Sequence, residues 1–272
     1  MEKQENNQPT EQKKYPLTPK GVKWYIGSVI AVVIGLYFLA AYQTEAFPDR
    51  VIDGLPIIFL FAVDDLWPPN WSYLPRVAMA LLETWNMALF STTLAALVAL
   101  PVSFIASSNI NRNPLFYQGV RNFLNLLRTI PEIILAVLFV ALVGIGAVSG
   151  ILALFVFSIG ILAKLISETI EAIDPGPVEA VRASGGNVFQ VITFGIMPQI
   201  LPQFASYTLY VLEINVKASV VLGFVGAGGI GIILRQQLNT FNYANVATII
   251  LVTFVAISII DLISNRVRER LE

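Results

Sequence analysis

The sequence predicts an all-α, polytopic membrane protein of about six transmembrane helices, and three observations carry that prediction. Of its 272 residues, 56% are hydrophobic and only 13% charged, with a mean hydropathy of +0.72, whereas soluble domains carry about 25% charged residues. The apolar residues gather into uncharged runs near the ~20-residue length that crosses a bilayer. Lys and Arg are distributed unevenly between alternate connecting segments, as membrane topology requires.

Residues 1–20 are polar and contain prolines, a solvated tail with no reason to fold. Residues 24–42 hold no charge over 19 positions and predict an uncleaved anchor helix, longer than the apolar region of a secretory signal. The stretch 43–84 carries six acids with Trp67, Trp71, Pro68, Pro69 and Pro75, and reads as an external loop with local helix on the membrane interface. A second span is expected at about 85–106. From Ile133 to Ala163 there are 31 uncharged residues, too many for one helix, and GIGAVSG at 144–150 divides them into spans at about 119–143 and 150–172. Further spans fit at about 203–224 and 245–263.

With the N-terminus inside, thirteen of the 17 Lys and Arg fall on inside segments and only Arg50, Arg76 and Arg235 outside, while Lys217 lies within a span. Both termini and the 173–202 loop are therefore expected on the cytoplasmic side. Composition also excludes function classes. With no Cys and no His, Cys/His metal sites, thiol nucleophiles and Ser-His-Asp triads are ruled out. The acids are scattered without cation-loop spacing, so no metal is expected. A net charge of −1 argues against nucleic acid as a partner.

One stretch invites a nucleotide reading and does not sustain it. No Walker-type G-x-x-x-x-G-K-[ST] occurs, so ATP hydrolysis by this chain alone is not expected. Gly226-Ala227-Gly228-Gly229-Ile230-Gly231 matches G-x-G-x-x-G, with Val220-Val221-Leu222 as its only available strand. After Glu213, however, no acid occurs until Asp261, so the ribose partner expected about 20 residues on is missing. Gly226, Gly228, Gly229 and Gly231 then have two readings: close packing and a turn, or a non-helical gate at the outer mouth of a pathway.

The connection from 174 to 202 is organised. Asp174-Pro175-Gly176-Pro177 stops one helix, Val178 to Ala183 suits a short helix, and Ser184-Gly185-Gly186 makes a turn. Asn187 and Gln190 form a capping-box start, and Pro198 and Pro202 are expected to break that helix before the next span. A helix–turn–helix with small residues at Ala180, Ala183 and Gly185 is a docking element. Glu213 and Lys217, at i,i+4 within a span, read either as an internal ion pair or as part of a substrate path with Asn215 and Ser219. Arg128, Pro131 and Glu132 read as a kinked helix entry with a snorkelling Arg.

The loop resembles the E-A-A-x3-G-x9-I-x-L-P signature of permease subunits of bacterial ATP-binding-cassette (ABC) importers. Glu179, Ala180, Gly185 and Pro198 fall on its positions, while Val181, Gly195 and Met197 stand where Ala, Ile and Leu are usual. LRTIPEIILA at 127–136 and LEINVKASVVLGFVGAGGIG at 212–231 are similar to the phosphonate-type permeases; methionine-type permeases carry a similar glycine string. The resemblance implies a type I importer fold, with 21–84 an anchor helix plus external segment and 85–267 the permease domain. It implies that 174–202 is the cytoplasmic coupling loop, with Glu179, Ala180, Arg182, Gly185 and Pro198 docking a separate ATPase. The implied partners are a second permease copy or paralogue, two ATPase subunits that bind ATP and Mg, an external substrate-binding protein and membrane lipid. The implied cargo is a phosphonate, phosphite or phosphate ester, moved across a bacterial inner membrane. The rivals are a methionine or other small-solute importer and an ion-coupled secondary transporter, for which the sequence lacks internal repeats.

Overall fold

The computed structural model describes residues 20–45, 48–111 and 113–271, and the polar tail expected over 1–20 lies outside them except for Lys20. Contacts divide the chain into two compact units, one ending at Ala62 and one beginning at Val63. In the first, α1 runs Lys20–Thr44 where the anchor was expected, and α2, Pro48–Leu60, continues as a wider π turn to Asp65. The stretch read as a loop with local helix is thus largely helical.

In the second unit, after the end of that π turn, a 3-10 turn, Trp71–Tyr73, leads into α3, Leu74–Ile105. This span starts eleven residues before position 85. Pro75 occupies the first turn, where its missing N–H costs nothing. Glu83, which had marked the segment as external, accepts the Gly229 N–H at 3.2 Å from a short helix described below. The span expected at 119–143 is two helices, α4 Pro114–Thr129 and α5 Glu132–Val143, bent by 86° at the Ile130–Pro131 break. Pro131 forces extended backbone on Ile130, at ψ 118°, and ends α4 there. The kink expected at Pro131 is present, and it is too sharp for a straight span.

Then follow α6 Ala147–Glu171, α7 Pro175–Ala183, α8 Val188–Gln190, a π segment Val191–Ile196, α9 Met197–Leu222, a 3-10 turn Gly223–Val225, α10 Ile230–Asn239 and α11 Tyr243–Arg268. Pro198 and Pro202 do not break the helix before α9. The wide π turn carries the rod through, with Met197 N–H bonding Ile192 C=O, because the extra residue relieves the clash of Pro198 with the preceding turn. Among the described residues five helices are long and apolar enough to cross a membrane, six with the bent α4–α5 pair counted as one.

α6 is the central helix and packs against α3, α4, α5 and α9. The contact with α3 uses small residues at i, i+4, i+7 and i+11: Ala88, Thr92, Ala95 and Ala99 are all buried. Small side chains let backbones approach, which is how helices associate where lipid removes the hydrophobic drive. Several buried hydroxyls bond within their own helix turn: Ser91, Ser103, Ser149 and Ser167 each donate to the carbonyl three residues back, whereas Thr253 Oγ1 and Ser264 Oγ of α11 have no partner among the described residues. One buried side chain ties three helices together. Asn215 of α9 donates through Nδ2 to Thr92 Oγ1 of α3 and to Ser158 Oγ of α6, both at 2.8 Å.

Two glycines mark the closest approaches. A Cβ on Gly150 would overlap the Ala227 carbonyl and the Met87 side chain, and one on Gly231 would overlap the Val220 carbonyl. Gly150→Leu and Gly231→Val should each cost at least about 3 kcal/mol through overpacking and abolish the monodisperse peak in detergent size-exclusion chromatography. Gly119→Ala, on an open face of α4 with nothing near the added Cβ, should leave that peak unchanged, since Ala is the better helix former.

Candidate functional site

The 174–202 connection folds into a knuckle. Asp174 Oδ1 accepts the Gly176 N–H at 2.9 Å and caps α7, and Val178 is the buried side chain that anchors the helix. At the end of α7 the Gly185 N–H bonds Arg182 C=O and the Gly186 N–H bonds Val181 C=O, each at 3.0 Å. Gly185 adopts φ +80°, which other residues enter at a cost. The capping box forms as the residues predict: Gln190 N–H to Asn187 Oδ1 at 3.0 Å, Asn187 N–H to Gln190 Oε1 at 2.8 Å. Gly195, which departs from the family signature, has an evident role. A Cβ there would come within 3.1 Å of Val178 Cα, so its absence lets the α8–α9 rod lie on α7.

Both ends of the knuckle are tied down. Gln199 Oε1 accepts the Asp174 N–H at 3.1 Å, and its Nε2 donates to the Asp174 and Gly195 carbonyls. On the α6 side, Glu171 Oε1 accepts from Ser108 N–H, Ser108 Oγ and Arg121 of α4 at 2.8–2.9 Å. The exposed surface left over carries Glu179, Ala180, Arg182 and Gly185. Beside them stand Val188 and Phe189, both exposed, which sequence reasoning missed because their i,i+1 spacing carries no periodic signal. Pro198 is exposed too, but it stands on α9 rather than on α7 or its turn.

The glycine string is a turn joining α9 to α10. Val220-Val221-Leu222 is helical, not a strand. Gly226, Gly228 and Gly229 adopt φ of +91°, +89° and +71°. A Cβ on Gly228 would lie 2.6 Å from Ala147 Cα, and one on Gly229 2.6 Å from Thr84 Oγ1. Gly223 and Gly231 bring the end of α9 and the start of α10 into backbone contact. The free amides at the start of α10 are used: Gly229 N–H bonds Glu83 and Ile230 N–H bonds Thr84 Oγ1 at 2.8 Å. A helix start whose amides are taken by a carboxylate and a hydroxyl is no phosphate cradle.

The third feature is a charged ladder between α9 and α11. Lys217 Nζ lies 2.8 Å from Glu213 Oε1 and 3.2 Å from Asp261 Oδ2, and Arg268 reaches Glu213 Oε2 at 2.9 Å. Arg268 also bonds Asn265 and lies over the Tyr210 ring. Two acids and two bases thus neutralise one another. The i,i+4 spacing predicts the Glu213–Lys217 pair; Asp261 and Arg268, 44 and 55 residues further on from those partners, are brought in by tertiary packing alone. Asn215 and Ser219 are not part of this surface. Both are fully buried, Asn215 spending its amide donors on Thr92 and Ser158, and Ser219 donating to Val216 C=O.

Comparison with known proteins agrees with this architecture. Residues 99–272 match the family model of binding-protein-dependent transport system inner membrane components. The phosphite transport system permease protein of Stutzerimonas stutzeri is 38% identical over 264 residues, 96% of this chain and 95% of that protein. The phosphate-import permease protein of Mycolicibacterium smegmatis is 37% identical over 75% of this chain, which spans 38% of that longer protein. The inward-facing methionine ABC transporter superposes with a TM-score of 0.67 at 25% identity, covering 75% of this chain and 99% of that one. With a helical bundle, a tied-down surface knuckle and relatives along its whole length, the chain belongs to the inner-membrane components of binding-protein-dependent transport systems, as the permease subunit of an ABC importer.

Proposed function

We propose that this permease imports a phosphorus oxyanion of the phosphite, phosphonate or phosphate-ester class. The observation that carries the reading is the near full-length likeness to a phosphite-system permease. The Glu213-Ile214-Asn215-Val216-Lys217 segment running into the glycine turn supports it. Selection of the cargo belongs to an external binding protein, and the permease supplies the conduit. Purifying the transporter in mild detergent, identifying its subunits by mass spectrometry and measuring which ligands the external subunit binds tests the reading directly.

The knuckle is the proposed coupling element. Glu179, Ala180, Arg182 and Gly185, with Val188 and Phe189 beside them, form an exposed surface of one acid, one base and small or apolar groups on a rigid base, suited to a groove in a separate ATPase. The Lys and Arg distribution supports a cytoplasmic side for this surface and both termini. ATP and Mg are bound by the ATPase pair. When that pair closes, the two knuckles of a permease dimer are drawn together. Because Gln199 holds the start of α7 to α9, and Glu171 at the end of α6 is bonded to α4 and to the loop after α3, the pull reaches the spans and opens the path to the binding protein.

Two outcomes are expected. The isolated chain hydrolyses no ATP, and azide-insensitive hydrolysis by the pure subunit, with no partner in its mass spectrum, would contradict the proposal. Glu179→Lys leaves the chain monodisperse but removes co-purification with the ATPase and stops uptake. Gly185→Trp does the same, whereas Gly185→Asn keeps both, because Asn tolerates the left-handed region that φ +80° requires. Normal uptake by the Trp variant would refute docking at this turn.

A further inference from the structure

Lys217 stands on the strip that the rest of the unit leaves open along the second half of α9. Its neighbours Asn215, Val216, Ala218 and Ser219 are all buried, and along the second half of the helix the exposed residues are Tyr210, Lys217 and Val221, spaced seven and four apart on one line. Glu213 and Lys217 are the only charges between Arg182 and Arg235, and α11 has none before Asp261. The pair therefore stands in an otherwise apolar stretch of α9, toward the end of the bundle where Glu213 meets Arg268 in the last turn of α11. The Lys217 side chain is nevertheless 45% exposed and that of Asp261 33%. Ionisable groups in such a stretch face water or protein rather than hydrocarbon, and the exposure of Lys217 and Asp261 fits a strip open to water at that end of the conduit.

Resting on the oxyanion reading above, we propose that the ladder is a counter-ion exchange site in the wall of that path. Glu213 and Asp261 hold Lys217 when no cargo is present, and the passing oxyanion displaces Asp261 from it. An ammonium has three donors, and here one points to Glu213 and one to Asp261. A phosphite or phosphonate offers oxygens of the same kind, so cargo and carboxylates compete for one cation. The two acids are not held equally. Glu213 keeps Arg268 on its other oxygen and stays neutralised when Lys217 turns away. Asp261 has Lys217 as its one cation among the described residues, and its Oδ1 is buried with no hydrogen-bond partner. Asp261 is thus the displaceable ligand, and its competition keeps cargo binding weak enough for release, as a conduit requires.

Removing Lys217 and Asp261 together takes one base and one acid and leaves the Glu213–Arg268 pair intact, so Lys217→Met with Asp261→Asn is the clean double change. The assay is uptake of inorganic phosphite by proteoliposomes holding the complete transporter and its binding protein, with ATP hydrolysis measured in parallel. Lys217→Met should lower uptake at least about tenfold, as expected for loss of a charge-assisted contact, while binding-protein-stimulated hydrolysis persists. The double variant should not recover. Asp261→Asn, by freeing a donor on Lys217, should slow uptake and raise phosphite retained by the binding-protein-free complex in equilibrium dialysis. Wild-type uptake in the double variant, or unchanged uptake and retention in Asp261→Asn, would overturn the exchange site and leave the cargo reading standing. If the wild-type transporter takes up neither phosphite, methylphosphonate nor a phosphate ester, the cargo reading fails and the exchange site falls with it.

Discussion

Hydrogen-bond satisfaction without water is the constraint on which the rest of this structure depends. A polar group facing hydrocarbon has no solvent to fall back on, and the bundle answers in two ways. Most hydroxyls return to their own helix, as Ser91, Ser103 and Ser167 do, which costs no tertiary specificity. Asn215 instead reaches two other helices, through Thr92 and Ser158, and so sets the register of α3, α6 and α9 against one another. A hydrophobic side chain in its place would fill the space without specifying that register.

The same constraint governs the irregular backbone. The turn between α9 and α10 runs at the end of a membrane bundle, where exposed amides would be costly. Glu83 and Thr84 of α3 take the first amides of α10, and Gly146 N–H takes the carbonyl of Gly226 at 2.9 Å. Glycine is needed there for two separable reasons. Gly226, Gly228 and Gly229 require positive φ, while Gly223 and Gly231 allow two backbones to touch. Packing and turn formation account for every glycine in the string, and a gating role would act through this rigid joint rather than through free amides.

At the other end, the knuckle is stiff because it is tied from both sides. Gln199 bridges it to α9, and the Glu171–Arg121–Ser108 knot joins the end of α6 to α4 and to the loop after α3. A surface element meant to transmit force needs such ties, since a loop free to swing would absorb the displacement. The charged ladder lies along α9 between the knuckle and the glycine turn. One helix thus connects the proposed docking surface, the proposed exchange site and the turn.

Composition and charge order alone determined that the chain is a helical membrane protein, because apolar length and Lys/Arg placement are one-dimensional quantities. The Asn187 cap, the Pro131 kink and the Glu213–Lys217 pair were legible as well, since each depends on residues at most four apart, whereas Asp174, read as part of a helix stop, turned out to cap α7 from Pro175 onward. Tertiary structure decided the remainder. It separated Asn215 and Ser219 from Lys217, because residues two apart on a helix face different neighbours, and only packing says which face is covered. It joined Asp261 and Arg268 to Glu213 and Lys217 across 44 and 55 residues, and it turned Glu83 from a marker of an external loop into the cap of α10. It also kept α9 continuous through Pro198 and Pro202, where a π turn absorbed the clash that local rules assign to proline. Local spacing determines what a residue can bond within its own helix; which polar groups are partnered across helices, and which are left exposed, is settled only when the helices pack.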